Sequence, residues 1–139
     1  MPERSPSQVY ALLFGVTLVV AGIIGFFYSS SFGDPGKVDG VLGILDVNGW
    51  HNLVHIVSGL LGLAVFASYT NSRLYALVLG AVYIAIAIAG FIAGDGTNLL
   101  SIIPLNTEDN FLHLLIGIAG LGAGLATPAI QPPTTIAEA

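Results

Sequence analysis

Four apolar segments divide the chain. Two are charge-free runs of 20 residues, Val9–Tyr28 and Leu74–Ala93, and two are shorter and contain one histidine each, Leu53–Tyr69 and Phe111–Ala126. A helix needs about 20 mainly apolar residues to cross a bilayer, and lipid offers an isolated segment no other way to satisfy its backbone. We expect the shorter two to gain length from flanking residues such as Trp50, His51 and Asn110. The pattern therefore predicts an all-α fold, an integral membrane four-helix bundle.

Composition supports lipid as the solvent. Hydrophobic residues make up 55% of the 139 residues and charged residues only 8%, where soluble domains carry about 25%. The absence of cysteine excludes disulfides, thiolate metal sites and cysteine nucleophiles. With only three Lys and Arg and a net charge of −5, the chain has no basic cluster for a nucleic acid.

The two halves of the chain repeat each other. The run YALLFGVTLVVAGIIGFF in the first span matches YALVLGAVYIAIAIAGFI in the third, so that Tyr10 corresponds to Tyr75 at an offset of 65. The second and fourth spans match at an offset of 58. We predict a transmembrane domain at 9–127, with repeat one at 9–70 and repeat two at 74–127, between a cytoplasmic tail at 1–8 and a disordered tail at 128–139. Two helices per repeat make this the parallel type of internal repeat. We expect the second and fourth helices to meet at the pseudo-twofold axis; the alternative places the first and third there.

The few basic residues predict the orientation. Arg4 precedes the first span and Arg73 lies in the turn between the second and third, whereas Lys37 alone lies in the first outer loop. The positive-inside rule then places both termini in the cytoplasm. Tyr10 and Tyr75 fall at the predicted inner boundary, as in an aromatic belt.

A stripe of Asn, His and Gly follows one face of the second and fourth helices. The spacing of 4, 3, 4 and 3 keeps the residues on one side, and small residues there let helices pack closely. Asn48 and Asn106 are also well placed as N-caps. The stripe, a predicted packing face and polar network, contains Asn48, Asn52, His55, Gly59 and Gly62 in repeat one, and Asn106, Asn110, His113, Gly117, Gly120 and Gly124 in repeat two.

Three interpretations compete for His55 and His113. Each can bond to an asparagine of the other repeat and fix the helix register. Together with His51 and Asp109 they can form a metal site of three imidazoles and a carboxylate, because His51–His55 and Asp109–His113 share the i, i+4 spacing. They can also ligate haem b from two symmetry-related helices. The first interpretation needs no cofactor.

No acidic or basic residue lies inside the four apolar segments, and no catalytic set can be assigned. Three functions therefore remain. The protein is a non-enzymatic accessory or structural subunit of a larger membrane complex or a homo-oligomer, or it binds a metal or haem through His55 and His113, or it forms a small-solute permeation pathway between the repeats.

The paired N-x-x-H-x-x-x-G motifs are specific enough to suggest a family. The first consists of Asn52 and His55, within the run HNLVH, and Gly59. The second consists of Asn110 and His113, within the run NTEDNFLH, and Gly117. With the YAL–G–GF pattern of the third span, the chain over residues 8–126 resembles an uncharacterised bacterial family of small four-helix membrane proteins classed as a domain of unknown function. The resemblance implies a multi-pass protein of the bacterial inner membrane and carries over no substrate, cofactor or catalytic residue.

Overall fold

Four helices make up most of the computed structural model, which describes residues 3–33, 39–131 and 133. They are α1 (Pro6–Tyr28), α2 (Gly49–Val65), α3 (Tyr69–Ala93) and α4 (Thr107–Ala126). By length and composition, α1, α3 and α4 can each cross a membrane, whereas α2 is apolar but has only 17 residues. The predicted all-α membrane bundle is confirmed, and α2 and α4 do begin early enough to include Trp50, His51 and Asn110.

Two predicted boundaries change, and a third falls largely outside the described residues. The N-terminal tail predicted at 1–8 is shorter, because the Ser5 side chain caps α1 in a reciprocal capping box with Gln8 and Pro6 begins the helix. Arg73 lies inside α3 and not in the turn, since the Ser68 side chain caps that helix and Tyr69 is its first residue. The predicted disordered tail falls largely on residues 132 and 134–139, which lie outside the described residues.

Each loop that connects the helices of one repeat contains a small β-hairpin, which the sequence analysis did not predict. Strand β1 (Asp39–Val41) pairs with β2 (Leu45–Val47), and β3 (Thr97–Leu99) pairs with β4 (Ile103–Leu105). The turns need positive φ angles at Leu42 (55°) and Leu100 (51°), a conformation that non-glycine residues seldom adopt. We call the end of the bundle with these hairpins the hairpin end, and the opposite end, which holds the α2–α3 connection, the turn end.

Close glycine contacts join the two helices of each repeat. A Cβ atom on Gly59 of α2 would lie 2.6 Å from the Gly15 carbonyl oxygen of α1, and one on Gly117 of α4 would lie 2.9 Å from that of Gly80 in α3. These glycines therefore lie where the two helices of each repeat approach most closely. Because these faces are used within each repeat, the prediction that α2 and α4 meet along the axis is wrong: α1 and α3 contact each other there, while α2 and α4 barely touch along their lengths.

Two tyrosines donate hydrogen bonds from one repeat to the other. The Tyr10 hydroxyl donates to the Ile116 carbonyl at 3.1 Å, and the Tyr75 hydroxyl donates to the Ser58 carbonyl at 3.0 Å. Their ring centroids are 6.2 Å apart. Gly120 and Gly62 leave room for them, since a Cβ there would approach the Tyr10 and Tyr75 hydroxyls at 2.8 and 2.7 Å. Tyr10 and Tyr75 thus lie inside the bundle and not in an aromatic belt facing lipid.

A buried histidine cluster at the hairpin end

The N-caps of α2 and α4 also connect the two repeats. Asn48 accepts from the His51 backbone N–H and Asn106 accepts from that of Asp109, each at 2.9 Å, as predicted. In addition, the Asn48 amide donates to the Ile102 carbonyl at 2.5 Å, and the Asn106 amide donates to the Ile44 carbonyl at 2.7 Å. Each helix start is therefore held by the hairpin of the other repeat, which fixes α2 against α4 at this end.

This arrangement brings the three histidines of the chain together. His51 and His55 lie one turn apart on α2, and His113 faces them from α4. Ring centroids are 4.4 Å apart for His51 and His55, 5.8 Å for His51 and His113, and 6.1 Å for His55 and His113. One nitrogen from each ring lies within 4.8 Å of the others. His51 and His113 are buried and His55 is half-buried.

Main-chain contact fixes the orientation of His51. Its Nδ1 lies 3.0 Å from the Asp46 carbonyl oxygen, which can only accept, so Nδ1 carries the proton. The Nε2 of neutral His51 then presents a lone pair into the cluster, 3.2 Å from the Nε2 of His55. A ring held by an Nδ1–H bond to a backbone carbonyl, with Nε2 free, is the usual arrangement of a histidine metal ligand.

Asp109 does not join the cluster. Although it occupies the position in repeat two that matches His51, it is not among the residues whose ligand atoms lie within 4.8 Å of one another, and the Asp46 main chain lies beside its carboxyl group. Asp46 therefore contacts both residues through its main chain, the Asp109 carboxylate on one side and His51 on the other. The predicted set of three imidazoles and a carboxylate is reduced to the three imidazoles.

The expected bonds between histidine and asparagine are wrong. Asn52 donates to the Ser29 carbonyl of its own repeat at 2.8 Å, and His55 pairs with His51. The Oδ1 atom of Asn110 and the Nδ1 atom of His113 are both buried and have no hydrogen-bond partner within residues 3–33, 39–131 and 133. The structural interpretation of the histidines therefore loses the contacts on which it depended.

A cavity of about 70 Å³ lies beside the cluster, between α2 and α3 and under the second hairpin. All three histidines line it, together with Tyr83 of α3 and Ser58 of α2, and the rest of the lining is apolar. Tyr83 is 3% exposed, and its ring centroid lies 5.2 Å from that of His113. In the part of the chain that the structure describes, its hydroxyl makes no hydrogen bond of standard geometry, although the Ser58 side chain lies close to it.

Acidic residues surround the hairpin end. Burial, followed by the nearby charges of Glu108 and Asp95, raises the pKa of the Asp46 carboxyl above its ordinary value. Asp95 also accepts a 2.7 Å hydrogen bond from the Thr107 hydroxyl. A negative potential at this end attracts cations.

Tyr83 was missed by the sequence analysis, which considered only histidine, asparagine and aspartate. A signal was present in the repeat itself, because Tyr83 corresponds to Leu18 at the offset of 65, and Ser58 corresponds to Ile116 at the offset of 58. Positions at which two repeats differ in polarity mark where their symmetry is broken, and here they lie together on one cavity.

The fold and the cluster define a small helical membrane bundle that buries three imidazoles at one end. The chain belongs to the family described as Domain of unknown function (DUF4383), whose model matches residues 8–126. This confirms the resemblance to a family of unknown function. No curated protein and no solved structure matches the chain significantly.

Proposed function

We propose that this protein binds a divalent transition-metal ion such as Zn²⁺ through His51, His55 and His113. The observation that carries the proposal is the convergence of three imidazole nitrogens within 4.8 Å, from two helices, at a buried position. Imidazole nitrogens are preferred ligands of zinc, copper, iron and nickel. The acidic residues around the hairpin end would raise the local concentration of such cations.

Distances support an ion of this size. Zinc binds histidine nitrogen at 2.0–2.1 Å, which in a tetrahedral site separates two ligand atoms by about 3.3 Å. The Nε2 atoms of His51 and His55 already lie 3.2 Å apart. The bond from His51 Nδ1 to Asp46 would hold that ring in place, in the way that outer-shell partners orient metal ligands.

Haem binding is less well supported than ion binding. Pockets for cofactor-sized molecules have volumes of roughly 300–1,000 Å³, and the cavity beside the histidines has about 70 Å³. A permeation pathway is also less favoured, because the Tyr10 and Tyr75 rings meet between the repeats and bond across them. A non-enzymatic accessory role in a larger complex or a homo-oligomer is compatible with metal binding and needs a partner to test.

We also propose a multi-pass topology in the bacterial inner membrane, with both termini cytoplasmic and the histidine cluster near the outer surface. Arg4 and Arg73 at the turn end support it through the positive-inside rule. Since the chain lacks cysteine, Leu42→Cys at a hairpin tip and Gln131→Cys near the C-terminus can be compared directly. In intact cells, an impermeant thiol reagent should label the first and not the second, and the reverse labelling would invert the topology.

Metal binding is tested on purified protein in mild detergent by metal analysis and Zn²⁺ titration. We expect one ion per chain, and a loss of affinity of at least about 100-fold in His55→Ala and in His113→Ala, because each removes a ligand. Tyr10→Phe, a control at the turn end, should bind as the wild type does. Helical circular dichroism shows whether each variant folds. Wild-type protein that takes up no zinc, or equal binding by all variants, contradicts the proposal.

A further inference from the structure

We infer that the metal ion bound by the three histidines keeps one coordination position open toward Tyr83, where it takes up a small exogenous ligand such as water, hydroxide or azide. The inference rests on the proposed function and adds to it a ligand, a binding position and a positioning residue. Three imidazoles leave a tetrahedral ion one ligand short, and sites of this composition elsewhere keep a solvent molecule in the fourth position.

No carboxylate joins the cluster among the described residues. Asp109 would be the obvious fourth ligand by its spacing from His113, but it is not among the residues whose ligand atoms lie within 4.8 Å of one another, and the Asp46 main chain lies beside its carboxyl group. His55 and His113, by contrast, line the same cavity as Tyr83. The open side of the cluster therefore faces the cavity between α2 and α3.

The Tyr83 hydroxyl is the group in this cavity that could donate a hydrogen bond to a bound ligand. Only 3% of Tyr83 is exposed, and its hydroxyl makes no hydrogen bond of standard geometry among the described residues, although the Ser58 side chain lies close to it. The ring stacks at 21° against His55, with centroids 6.4 Å apart, and lies 5.2 Å from His113. Buried polar groups are nearly always satisfied, and a small hydrogen-bonding molecule in the cavity would complete the Tyr83 hydroxyl beside the histidines.

The cavity limits the size of that molecule. Its volume of about 70 Å³ is close to the share of two water molecules in liquid water, about 30 Å³ each. Apart from the histidines, Tyr83 and Ser58, the lining is aliphatic, with Val54, Val82 and Ile86 among its members. The cavity therefore has room for a small ligand such as water, hydroxide or azide.

Packing alone does not require a tyrosine at this position. The matching residue of repeat one is Leu18, which is 1% exposed and fills its own place in the bundle without a polar group. Ser58 likewise matches Ile116. Both polar replacements line the cavity beside the cluster, where the exogenous ligand would bind.

Cobalt substitution makes the open position visible. Purified protein is loaded with Co²⁺, whose visible absorption reports its coordination, and is titrated with azide. We expect azide to change the spectrum with saturation, and Tyr83→Phe to raise the azide dissociation constant about 10-fold or more through loss of a hydrogen bond to a charged ligand. Co²⁺ affinity should change less than about 3-fold. Tyr10→Phe, the same chemical change outside the cavity, should leave both constants unchanged.

The outcomes separate this inference from the proposed function. If Co²⁺ binds but azide leaves the spectrum unchanged, the position is closed and the inference fails while metal binding stands. A phenolate charge-transfer band that Tyr83→Phe abolishes would make Tyr83 itself the fourth ligand and also overturns it. No Co²⁺ uptake defeats both proposals. Tyr83→Leu, which copies the matching residue of repeat one, provides a second variant if phenylalanine disturbs the fold.

Discussion

The two ends of the bundle differ in how completely their buried polar groups are hydrogen-bonded. At the turn end, the side-chain hydroxyls of Ser7, Tyr10, Ser72, Tyr75 and Thr127 all donate to backbone carbonyls. Toward the hairpin end, four buried polar atoms among the described residues have no partner, namely the Tyr83 hydroxyl, Asp109 Oδ2, Asn110 Oδ1 and His113 Nδ1. Both ends bury polar side chains, and among the described residues the buried polar atoms without a partner all lie toward the hairpin end.

This difference separates a structural network from a binding site. A fully satisfied polar network makes a fold rigid and specific, and a partly satisfied one costs free energy unless something else completes it. At the turn end, the pairs Ser7–Thr127 and Arg73–Thr127 link the start of α1 and of α3 to the end of α4, at 3.0 and 2.8 Å. The polar side chains at the hairpin end are buried to a similar degree but lack such a complete set of hydrogen bonds. Its histidines and Tyr83 are therefore better explained by a ligand than by packing.

The largest predicted effect is stabilisation by zinc. At a free Zn²⁺ concentration 100 times the dissociation constant, the free energy of unfolding should rise by about 2.7 kcal/mol, because the ion binds only the folded site. The measurement is unfolding in a titration of mild detergent with sodium dodecyl sulfate, followed by helical circular dichroism with zinc and with a chelator.

Two variants test whether zinc stabilises the protein by binding at the hairpin end. His113→Ala should lose the zinc-dependent part, whereas Tyr10→Phe should retain it even though its stability without metal is lower. Equal zinc stabilisation in His113→Ala and the wild type would show that the ion binds elsewhere, for example on the acidic rim, and would remove the distinction between the two ends.

The helices could be predicted from the sequence because their determinants are local. Charge-free runs gave α1 and α3 within a few residues, and Asn48 and Asn106 were identified as N-caps from their position before each apolar run. The arrangement of the helices could not be predicted in the same way. The glycine stripe of α2 fits Gly15 of its own repeat, and nothing in its spacing distinguishes that partner from the stripe of α4.

His51, His55 and His113 were identified as candidates, and the structure brings them together. Asp109 was a candidate because helical spacing places it level with His51, but spacing does not reveal the Asp46 main chain beside its carboxyl group. That contact depends on a three-residue strand, and short apolar hairpins with positive φ at Leu42 and Leu100 carry little sequence signal.

The smallest predicted effect provides the most direct comparison of the two ends, because the same atom is removed from each. Tyr10→Phe loses a hydroxyl bonded to the Ile116 carbonyl and should lower the free energy of unfolding by about 0.5–1.5 kcal/mol. Tyr83→Phe loses an orphan hydroxyl and, in chelator, should be neutral or slightly stabilising, since a buried group without a partner contributes only its desolvation cost. Both are measured by the same unfolding titration. If Tyr83→Phe lowers the free energy of unfolding as much as Tyr10→Phe does, the Tyr83 hydroxyl already has a partner in the metal-free protein. The two ends would then not differ in how Tyr10 and Tyr83 are hydrogen-bonded.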